Sequence, residues 1–323
     1  MKPFIEIRYF GPVHITWIVN QSCPFHCWYC PDFIHKGRNN TFEWKTIDQF
    51  LDILLQKYPF AVISMSGGEP TTWPHFEALV DKIESSGKRI SLGVNSNLLR
   101  TREWWTRMAP RLSSVSASYH PSVVNTEEQR REWFDKLEMI SGMVETNLRL
   151  MMDPRHWDHC YSLVNDLQSK DLKYGVEPVR LLNYFEGFDL VNYNIDYTEE
   201  QDQILTELNW SKATTVPEDV RKKQYPQLNR IVYEDGRQED IEHFAPIVLN
   251  KMNQFKGWRC NIGLESFYIN DQGQIKRGNC FEGGVIGSVI DPYNIRWPRE
   301  PIMCSFDVCH CFTDIRISKR KVK

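Results

Sequence analysis

The stretch CPFHCWYC, at residues 23–30, carries three cysteines in the spacing C-x3-C-x2-C. Three thiolates this close together in a chain can hold one small metal centre, and soft sulfur ligands select zinc or an iron–sulfur cluster. A structural zinc site normally has four protein ligands, so His26, His35 or a distant residue would have to supply the fourth. A [4Fe-4S] cluster held by three cysteines instead leaves one iron open to an external ligand, as a reactive centre requires.

The stretch follows the first of six short segments rich in apolar and β-branched residues, which are 14–19, 60–65, 90–94, 114–118, 148–152 and 175–179. Between them, apolar residues recur at helical spacing, with Thr46 as the expected N-cap of the first helix and Gly87 just past the end of the second. Strands alternating with helices predict an α/β fold of parallel βαβ units, as a full or partial barrel or a doubly wound sheet. Both arrangements place active sites at the carboxyl ends of strands, where the three cysteines fall.

A second motif, SGGEP at residues 66–70, ends the second predicted strand. Glycines allow the backbone to approach a ligand closely, and the glutamate can accept a hydrogen bond from a ligand ammonium. Together with Tyr29 before the last cysteine, the two motifs resemble the signature of the radical S-adenosylmethionine (radical SAM) enzymes. The resemblance implies the family fold, a partial (β/α)6 TIM-like barrel, which agrees with the six predicted strands.

The resemblance also implies the chemistry of the first cysteine group. Cys23, Cys27 and Cys30 would bind a [4Fe-4S] cluster whose fourth iron is chelated by SAM. One electron would then cleave SAM to methionine and a 5′-deoxyadenosyl radical, which abstracts hydrogen from an unactivated carbon. The implied SAM contacts are Tyr29, Gly67, Gly68, Glu69, Pro70, Asn95, Asn97, Ser116, Ser118 and Met151 or Met152. Among these contacts Glu69 lies in a closely matching motif. Asn97 is as typical of a turn as of a SAM contact, and Ser116 and Ser118 are also typical of an ordinary strand.

The remaining cysteines gather near the end of the chain, except for Cys160, and they are Cys260, Cys280, Cys304, Cys309 and Cys311. Residues 265–270 and 274–277 flank Asp271-Gln272-Gly273 and predict a β-hairpin. A hairpin with a cysteine at each end and a terminal cysteine group resembles the twitch and SPASM extensions of radical SAM enzymes. Five cysteines favour the shorter twitch form with one auxiliary [4Fe-4S] cluster, in which one of the last three cysteines is spare. Zinc is the alternative occupant.

We therefore expect a radical SAM core over residues 1–183, a mixed connecting segment over 184–257 and a small twitch/SPASM-like iron–sulfur domain over 258–323. Two further residues are candidates for catalysis. Cys160 is a candidate hydrogen-atom donor, although its place on an apolar helical stripe favours core packing. His120 follows the fourth strand and is a candidate substrate contact.

Glu177 and Arg180 lie on the sixth predicted strand. Facing the barrel interior, they would need each other or a substrate as an ionic partner, because an unpaired charge there is costly. Placement of both side chains at the surface is the alternative interpretation.

Composition excludes several classes of protein. The 323 residues are 41% hydrophobic and 25% charged with a net charge of −3, which excludes intrinsic disorder and gives no surplus of positive charge for nucleic acid or an anionic membrane. No apolar stretch approaches the roughly 20 residues that a bilayer requires. The early charge at Glu6 argues against a secretion signal, so a cytoplasmic protein is expected. An odd number of cysteines, nine, also makes disulfides the weaker interpretation.

The expected function is oxidation or epimerisation of a sugar-like or aminocyclitol-like small molecule by a radical SAM enzyme. A reductant such as flavodoxin or ferredoxin would supply electrons. The first alternative is a radical SAM maturase that crosslinks or epimerises a ribosomal peptide. The second is a zinc-stabilised binding module without redox chemistry.

Overall fold

A computed structural model of the chain describes residues 3–39, 42–87, 89–181, 185–186, 189–190, 195–208, 229–241, 247–248, 251–309 and 312–322. Cys311, one of the expected cluster ligands, lies outside the described residues.

The strands are β1 Phe4–Tyr9, β2 Val13–Ile18, β3 Asn20–Ser22, β4 Lys36–Asn39, β5 Ala61–Ser66, β6 Ile90–Ser96, β7 Ser114–Tyr119, β8 Glu145–Met151, β9 Gly175–Val179, β10 Phe185–Glu186, β11 Asp189–Leu190, β12 Asn229–Tyr233, β13 Gln238–Ile241, β14 Trp258–Cys260, β15 Ser266–Ile269, β16 Gln274–Lys276, β17 Val285–Ser288, β18 Ile302–Met303 and β19 Lys319–Lys321. The helices are α1 Asp32–His35, α2 Trp44–Lys57, α3 Phe76–Ser85, α4 Arg102–Met108, α5 Glu127–Ser141, α6 Trp157–Gln168, α7 Glu199–Glu207 and α8 Phe312–Arg316. Short 3-10 turns span Pro70–Thr72, Ala109–Arg111, Pro154–His156 and Pro292–Asn294.

A nine-stranded sheet forms the centre of the fold, in the order β17-β16-β15-β2-β5-β6-β7-β8-β9. Its strands β2, β5, β6, β7, β8 and β9 pair in parallel and in chain order. These are the six strands that the sequence predicted. The described sheet ends at β9, so the six strands form an open arrangement that matches the expected partial (β/α)6 barrel.

The barrel strands have two different faces because their side chains alternate in direction. On β2, β5 and β6 every second residue is buried. The buried face includes Ile15, Ile63 and Leu92, which belong to one core cluster with Leu51 and Leu54 of α2. The half-buried face therefore points away from the helices, toward the concave side of the sheet, which we call the lumen.

The helix boundaries agree in part with the sequence. Gly87 follows the end of α3 with φ of +72°, as expected for that position. The expected N-cap Thr46 is wrong, because α2 begins at Trp44 and its N-cap is Glu43. Thr46 lies inside the first turn, where its hydroxyl donates to the Glu43 carbonyl at 2.9 Å.

A second sheet joins the two ends of the chain in the order β13-β12-β1-β19-β14-β18. Its core contains Phe4 and Ile7 from β1 together with Ile231, Tyr233 and Phe255. The sequence pattern did not predict this sheet. Its pairing of β1 with β12 and β19 crosses the expected domain boundaries.

The predicted hairpin is confirmed as β15 and β16, with Gly273 at φ of +74° in the turn. Strand β15 also pairs in parallel with β2, so the hairpin extends the barrel sheet at its first strand. This pairing attaches the C-terminal cysteine region directly to the barrel. Within the described ranges, none of the helices has the length and apolar composition needed to cross a membrane.

Candidate active site

The first cysteine group lies in the loop between β3 and α1, beyond the carboxyl end of β2. Cys27 is buried, whereas Cys23 and Cys30 are half-buried, and all three thiols are free. Burial is the main cause that raises the pKa of Cys23 to about 11 and that of Cys30 to about 12. The charges of Glu69 and Cys27 contribute to the first rise, and those of Cys27 and Cys23 to the second. The three sulfurs are thus close enough to interact, and their thiolates need a cationic centre to be stable.

This all-sulfur donor set fits an iron–sulfur cluster. In the part of the chain that the structure describes, no group of three or more His, Cys, Asp or Glu side chains is arranged around the position of a single metal ion.

The two sequence motifs meet in space because the Gly-Gly-Glu stretch packs against β3. The Gly68 amide donates to the Asn20 carbonyl at 3.0 Å, and the Glu69 amide donates to the Ser22 carbonyl at 2.9 Å. A Cβ atom on Gly68 would lie 2.3 Å from the Ser22 oxygen, and one on Gly67 would lie 2.5 Å from the Asn20 oxygen. Gly67 also has φ of +147°, which other residues rarely adopt. Glycine is therefore required at both positions, because any side chain would clash with the backbone of β3.

Asn20 joins the same region and was missed by the sequence reasoning. Its side chain is fully buried and donates to the Glu69 carbonyl at 3.0 Å, while its Oδ1 accepts from the Gly68 amide at 3.1 Å. The sequence did contain a signal for Asn20, since a polar residue follows directly after the apolar run of β2.

Glu69 is almost completely buried at the carboxyl ends of β5 and β6. Its Oε1 accepts from the Thr71 amide, the Thr71 hydroxyl and the Ser96 hydroxyl, at 3.1, 2.7 and 2.9 Å. Its Oε2 accepts from the Asn97 amide at 2.8 Å. Burial raises the pKa of Glu69, and these hydrogen bonds oppose that rise. Oε2 accepts one hydrogen bond against three on Oε1, so it has more capacity for another donor.

Asn97 connects Glu69 to the cysteine loop. Its amide side chain lies 3.5 Å from the Cys23 sulfur, and its Oδ1 accepts from the Leu99 amide at 2.9 Å. The next residue, Leu98, is buried at φ of +59°, a strained conformation for a leucine. The Lys136 ammonium donates to the Leu98 carbonyl at 3.0 Å and helps to hold this turn. The structure thus brings Asn97 to the cysteine loop, whereas its expected contact with SAM stays a prediction.

His120 also lies against the cysteine loop. Its Nδ1 is 2.7 Å from the Tyr29 hydroxyl and 3.4 Å from the Cys27 sulfur, and its ring stacks on that of Tyr29. Burial, with a smaller effect of the Arg149 charge, lowers the pKa of His120 to about 4, so the ring is neutral at physiological pH. The sequence placed His120 at this rim but did not predict its contact with a cysteine.

A contact that sequence reasoning missed links the cysteine loop to the end of β8. The Trp28 indole donates to the Asp153 carboxylate at 2.9 Å, and the Arg155 guanidinium lies 3.5 Å from the centre of the Trp28 ring. Asp153 is fully buried and also accepts from the Arg155 amide at 2.9 Å. This contact fixes the loop between Cys27 and Cys30 at a second point.

The remaining predicted polar contacts lie on the lumen face. Asn95 is paired in register with Ser116, and Ser118 with Arg149 on the adjoining strand. All four residues are half-buried. The structure therefore brings them to one polar surface.

Three lumen residues of β8 and β9 form a connected group. The Arg149 guanidinium lies 3.3 Å from the Glu177 carboxylate, and the Asn147 amide donates to the same oxygen at 3.1 Å. Oδ1 of Asn147 is buried and has no hydrogen-bond partner among the described residues. Glu177 therefore pairs with Arg149, whereas Arg180 lies 2.5 Å from Asp202.

Met151 and Cys160 have different surroundings. Met151 packs in an apolar cluster with Cys27 and Tyr29, next to the cysteine loop. Cys160 is fully buried on α6 in the main core, and its thiol lies 3.5 Å from the Met151 carbonyl. Burial raises the pKa of Cys160 to about 12. This position is the one that core packing predicts.

The C-terminal cysteines surround a cavity of about 180 Å³. Its walls include Cys260, Cys280, Cys304 and Cys309. Burial raises the pKa of Cys280, which the charges of Asp314, Cys260 and Cys309 raise further. The structure thus brings four of the five predicted cysteines to the wall of one cavity.

The surroundings of this cavity are built by α8 and β19. The Asp314 carboxylate is buried in its wall and accepts from the Cys280 amide at 3.0 Å and the Ser266 hydroxyl at 3.3 Å. Lys319 contributes a second buried charge to the wall. Neither residue was a sequence candidate, because α8 and β19 are brought there by long-range pairing.

Comparisons with known proteins agree with this arrangement. Residues 17–120 match the model of the Radical SAM superfamily. An S-adenosylmethionine-dependent nucleotide dehydratase of a Thermoplasmatales archaeon (strain ISO4-H5) is 22% identical over 277 residues, which cover 82% of this chain and 88% of that protein.

Two solved structures share the fold. The protein anSMEcpe, with bound AdoMet, aligns with a TM-score of 0.56 at 15% identity, over 87% of this chain and 76% of its own. SuiB of Streptococcus suis, bound to S-adenosylmethionine, aligns with a TM-score of 0.51 at 13% identity, over 88% of this chain and 65% of its own.

Proposed function

We propose that this chain, a radical SAM enzyme, reductively cleaves SAM and abstracts hydrogen from an unactivated carbon of a polar small molecule. The observation that carries the proposal is the contact of the Gly-Gly-Glu stretch with β3, the strand that leads directly into the cysteine loop, at the carboxyl ends of the barrel strands. Cys23, Cys27 and Cys30 would hold the [4Fe-4S] cluster. When bound, this cluster supplies the electron that splits SAM into methionine and a 5′-deoxyadenosyl radical.

The residues around the loop have the properties that SAM binding requires. Oε2 of Glu69 has capacity to accept a hydrogen bond from the methionine ammonium. Tyr29 and Met151 offer an apolar surface for adenine beside Cys27. The amides and hydroxyls of Asn95, Ser116 and Ser118, further along the lumen face, would meet the carboxylate and ribose.

The polar lumen supports a hydroxyl- or amine-bearing substrate. The buried Oδ1 of Asn147 lacks a donor within the described part of the chain, and leaving it unpaired costs roughly 1 to 3 kcal/mol. A substrate hydroxyl or ammonium group would satisfy it, and Arg149 offers two-pronged binding to an anionic or acceptor group. This supports a sugar-like or aminocyclitol-like substrate and a net oxidation or epimerisation.

The cavity lined by four cysteines supports an auxiliary [4Fe-4S] cluster in a twitch-like region. Cys260, Cys280, Cys304 and Cys309, which line the cavity, would hold it. When bound, such a cluster supplies an electron acceptor, which suits an oxidation. A reductant such as flavodoxin or ferredoxin would deliver electrons to the enzyme, and we propose 1–183, 184–257 and 258–323 as its functional divisions.

Iron content tests the two clusters together. Anaerobically purified protein is expected to be brown and to hold about eight irons, four in each cluster. The triple variant Cys23→Ala/Cys27→Ala/Cys30→Ala is expected to hold about four, as is the double variant Cys260→Ala/Cys280→Ala. Cys160→Ala is the matched control, because its thiol lies in the core, and it is expected to retain all eight. Colourless protein with stoichiometric zinc would contradict the proposal.

Nucleotide dehydration is a second candidate function, which the nearly full-length match to a nucleotide dehydratase favours. The candidates are distinguished by incubating reduced enzyme and SAM with deuterated sugars and aminocyclitols, nucleoside triphosphates or peptides. Deuterium in 5′-deoxyadenosine identifies the substrate class, and transfer from the peptides alone would contradict a small-molecule substrate.

The lumen assignment is tested with Asn147→Leu, which is expected to lower kcat/KM for that substrate at least about tenfold. The exposed Asn165→Leu on α6 is the control and should leave it unchanged. An equal effect of the two substitutions would contradict the assignment of Asn147.

A further inference from the structure

Lys319 is a buried cation in the wall of the four-cysteine cavity. It is 2% exposed and is the first residue of β19, where it pairs in register with Cys260 on one side and Ile7 on the other. Both neighbouring strands are part of the second sheet, so the lysine side chain starts from a rigid backbone position.

Among the residues that the structure describes, the ammonium group of Lys319 has hydrogen-bond acceptors but no ionic partner. It donates to the carbonyl of Asp314 and lies 3.4 Å from the carbonyl of Ile317. The ring of Phe255 lies 5.1 Å from it. No carboxylate of the described residues comes within 4.0 Å of the Lys319 ammonium. A buried ammonium without a counter-ion is strongly disfavoured, so the cavity calls for an anionic occupant.

The nearby carboxylate of Asp314 does not fill this role. Its oxygens accept from the Cys280 amide, the Ser266 hydroxyl and the Asn279 side chain. It also raises the pKa of Cys280, whereas the charge of Lys319 lowers that of Cys260 against the larger effect of burial. The field of Lys319 therefore reaches the Cys260 sulfur and favours its thiolate form.

We propose that Lys319 is the counter-charge of the auxiliary cluster and raises its reduction potential. The inference rests on the proposed auxiliary cluster. A [4Fe-4S] cluster held by four thiolates is a dianion when oxidised and a trianion after gaining one electron, and net charge and local dipoles set its potential. A fixed positive charge stabilises the trianion more than the dianion. Lys319 is thus a positioning residue. It places a positive charge beside the cluster, acts through the cluster and does not contact the substrate.

The test isolates the auxiliary cluster in the full-length Cys23→Ala/Cys27→Ala/Cys30→Ala background, reconstituted anaerobically with iron and sulfide. Its midpoint potential is measured by redox titration followed by electron paramagnetic resonance. Lys319→Met is expected to shift the potential to a more negative value, and Lys319→Arg to keep it near that of the parent. Lys321→Met removes an exposed lysine from the same strand and is expected to leave the potential unchanged.

The outcomes separate the inference from the proposed function on which it rests. An unchanged potential in Lys319→Met with full iron content would overturn the inference alone. Low iron content in Lys319→Met together with full iron content in Lys319→Arg would support the inference, because a positive charge at this position would then be needed to hold the dianionic cluster. Equal loss in both variants would overturn it in favour of a packing role. A parent without iron–sulfur absorbance would refute the auxiliary cluster itself, and the inference with it.

Discussion

Replacing Gly68 by alanine tests why the Gly-Gly-Glu stretch carries glycines. The new Cβ would lie 2.3 Å from the Ser22 oxygen and 2.7 Å from the Ile34 oxygen, both backbone atoms. An ordinary contact is about 1 Å longer than the first of these, so the two segments must separate. The separation breaks the amide bonds from Gly68 to Asn20 and from Glu69 to Ser22, each contributing about 1 kcal/mol.

Overpacking adds about 1 to 3 kcal/mol, so Gly68→Ala is expected to lower the free energy of unfolding by about 3 to 5 kcal/mol in total. The measurement is urea unfolding of cluster-free protein without SAM. Gly142→Ala is the control, because Gly142 has a helical φ of −75° and its Cβ would meet the nearest atom at an ordinary 3.5 Å. Loss of SAM affinity with unfolding unchanged in Gly68→Ala would refute our reasoning, because the glycine would then serve only the ligand.

Three further substitutions have expected outcomes of their own. Glu69→Gln should lower SAM affinity at least about tenfold in equilibrium binding, because the NH2 group that replaces one carboxylate oxygen cannot accept from the donors there, which are Thr71 and Ser96 on one side or Asn97 and the ligand on the other; unchanged affinity would remove Glu69 from the SAM site. Trp28→Phe should lower the free energy of unfolding by about 1.5 to 3 kcal/mol, since the buried Asp153 loses a donor, and no change in urea unfolding would contradict this. Burial lowers the pKa of His14 from 6.5 to about 4, so its neutral form gives full stability above pH 6.5 that is lost as pH falls toward 4. Between pH 7.5 and 5.5 this loss is about 1 kcal/mol, and His14→Gln should reduce it; an equal loss in the variant would contradict the assignment.

The barrel was predictable because its signals are local. The apolar segments of residues 60–65 and 90–94 alternate with helical stripes, and each strand needs only its own pattern to be recognised. The hairpin around Gly273 was predictable for the same reason. The helix N-cap was not, because Thr46 and Glu43 both lie near the start of α2 and sequence alone does not decide between them.

Contacts between distant segments were beyond the sequence pattern. Strand β1 pairs with β12 and β19, which lie more than two hundred residues further along the chain, and no periodicity encodes such a pairing. The same is true of Lys319, which resembles any other lysine in a basic terminal segment until β19 places it beside Cys260. The cysteines were recognisable by spacing, whereas the residues that charge and position them were not.

The central claim is that Cys23, Cys27 and Cys30 hold the centre at which SAM is cleaved. The most direct measurement is the amount of 5′-deoxyadenosine formed from SAM by anaerobically reconstituted, dithionite-reduced enzyme. The wild-type protein is expected to form it and Cys27→Ala to form none, while Cys160→Ala, which removes a core thiol, retains the activity. Equal 5′-deoxyadenosine formation by the wild-type protein and Cys27→Ala would contradict the account.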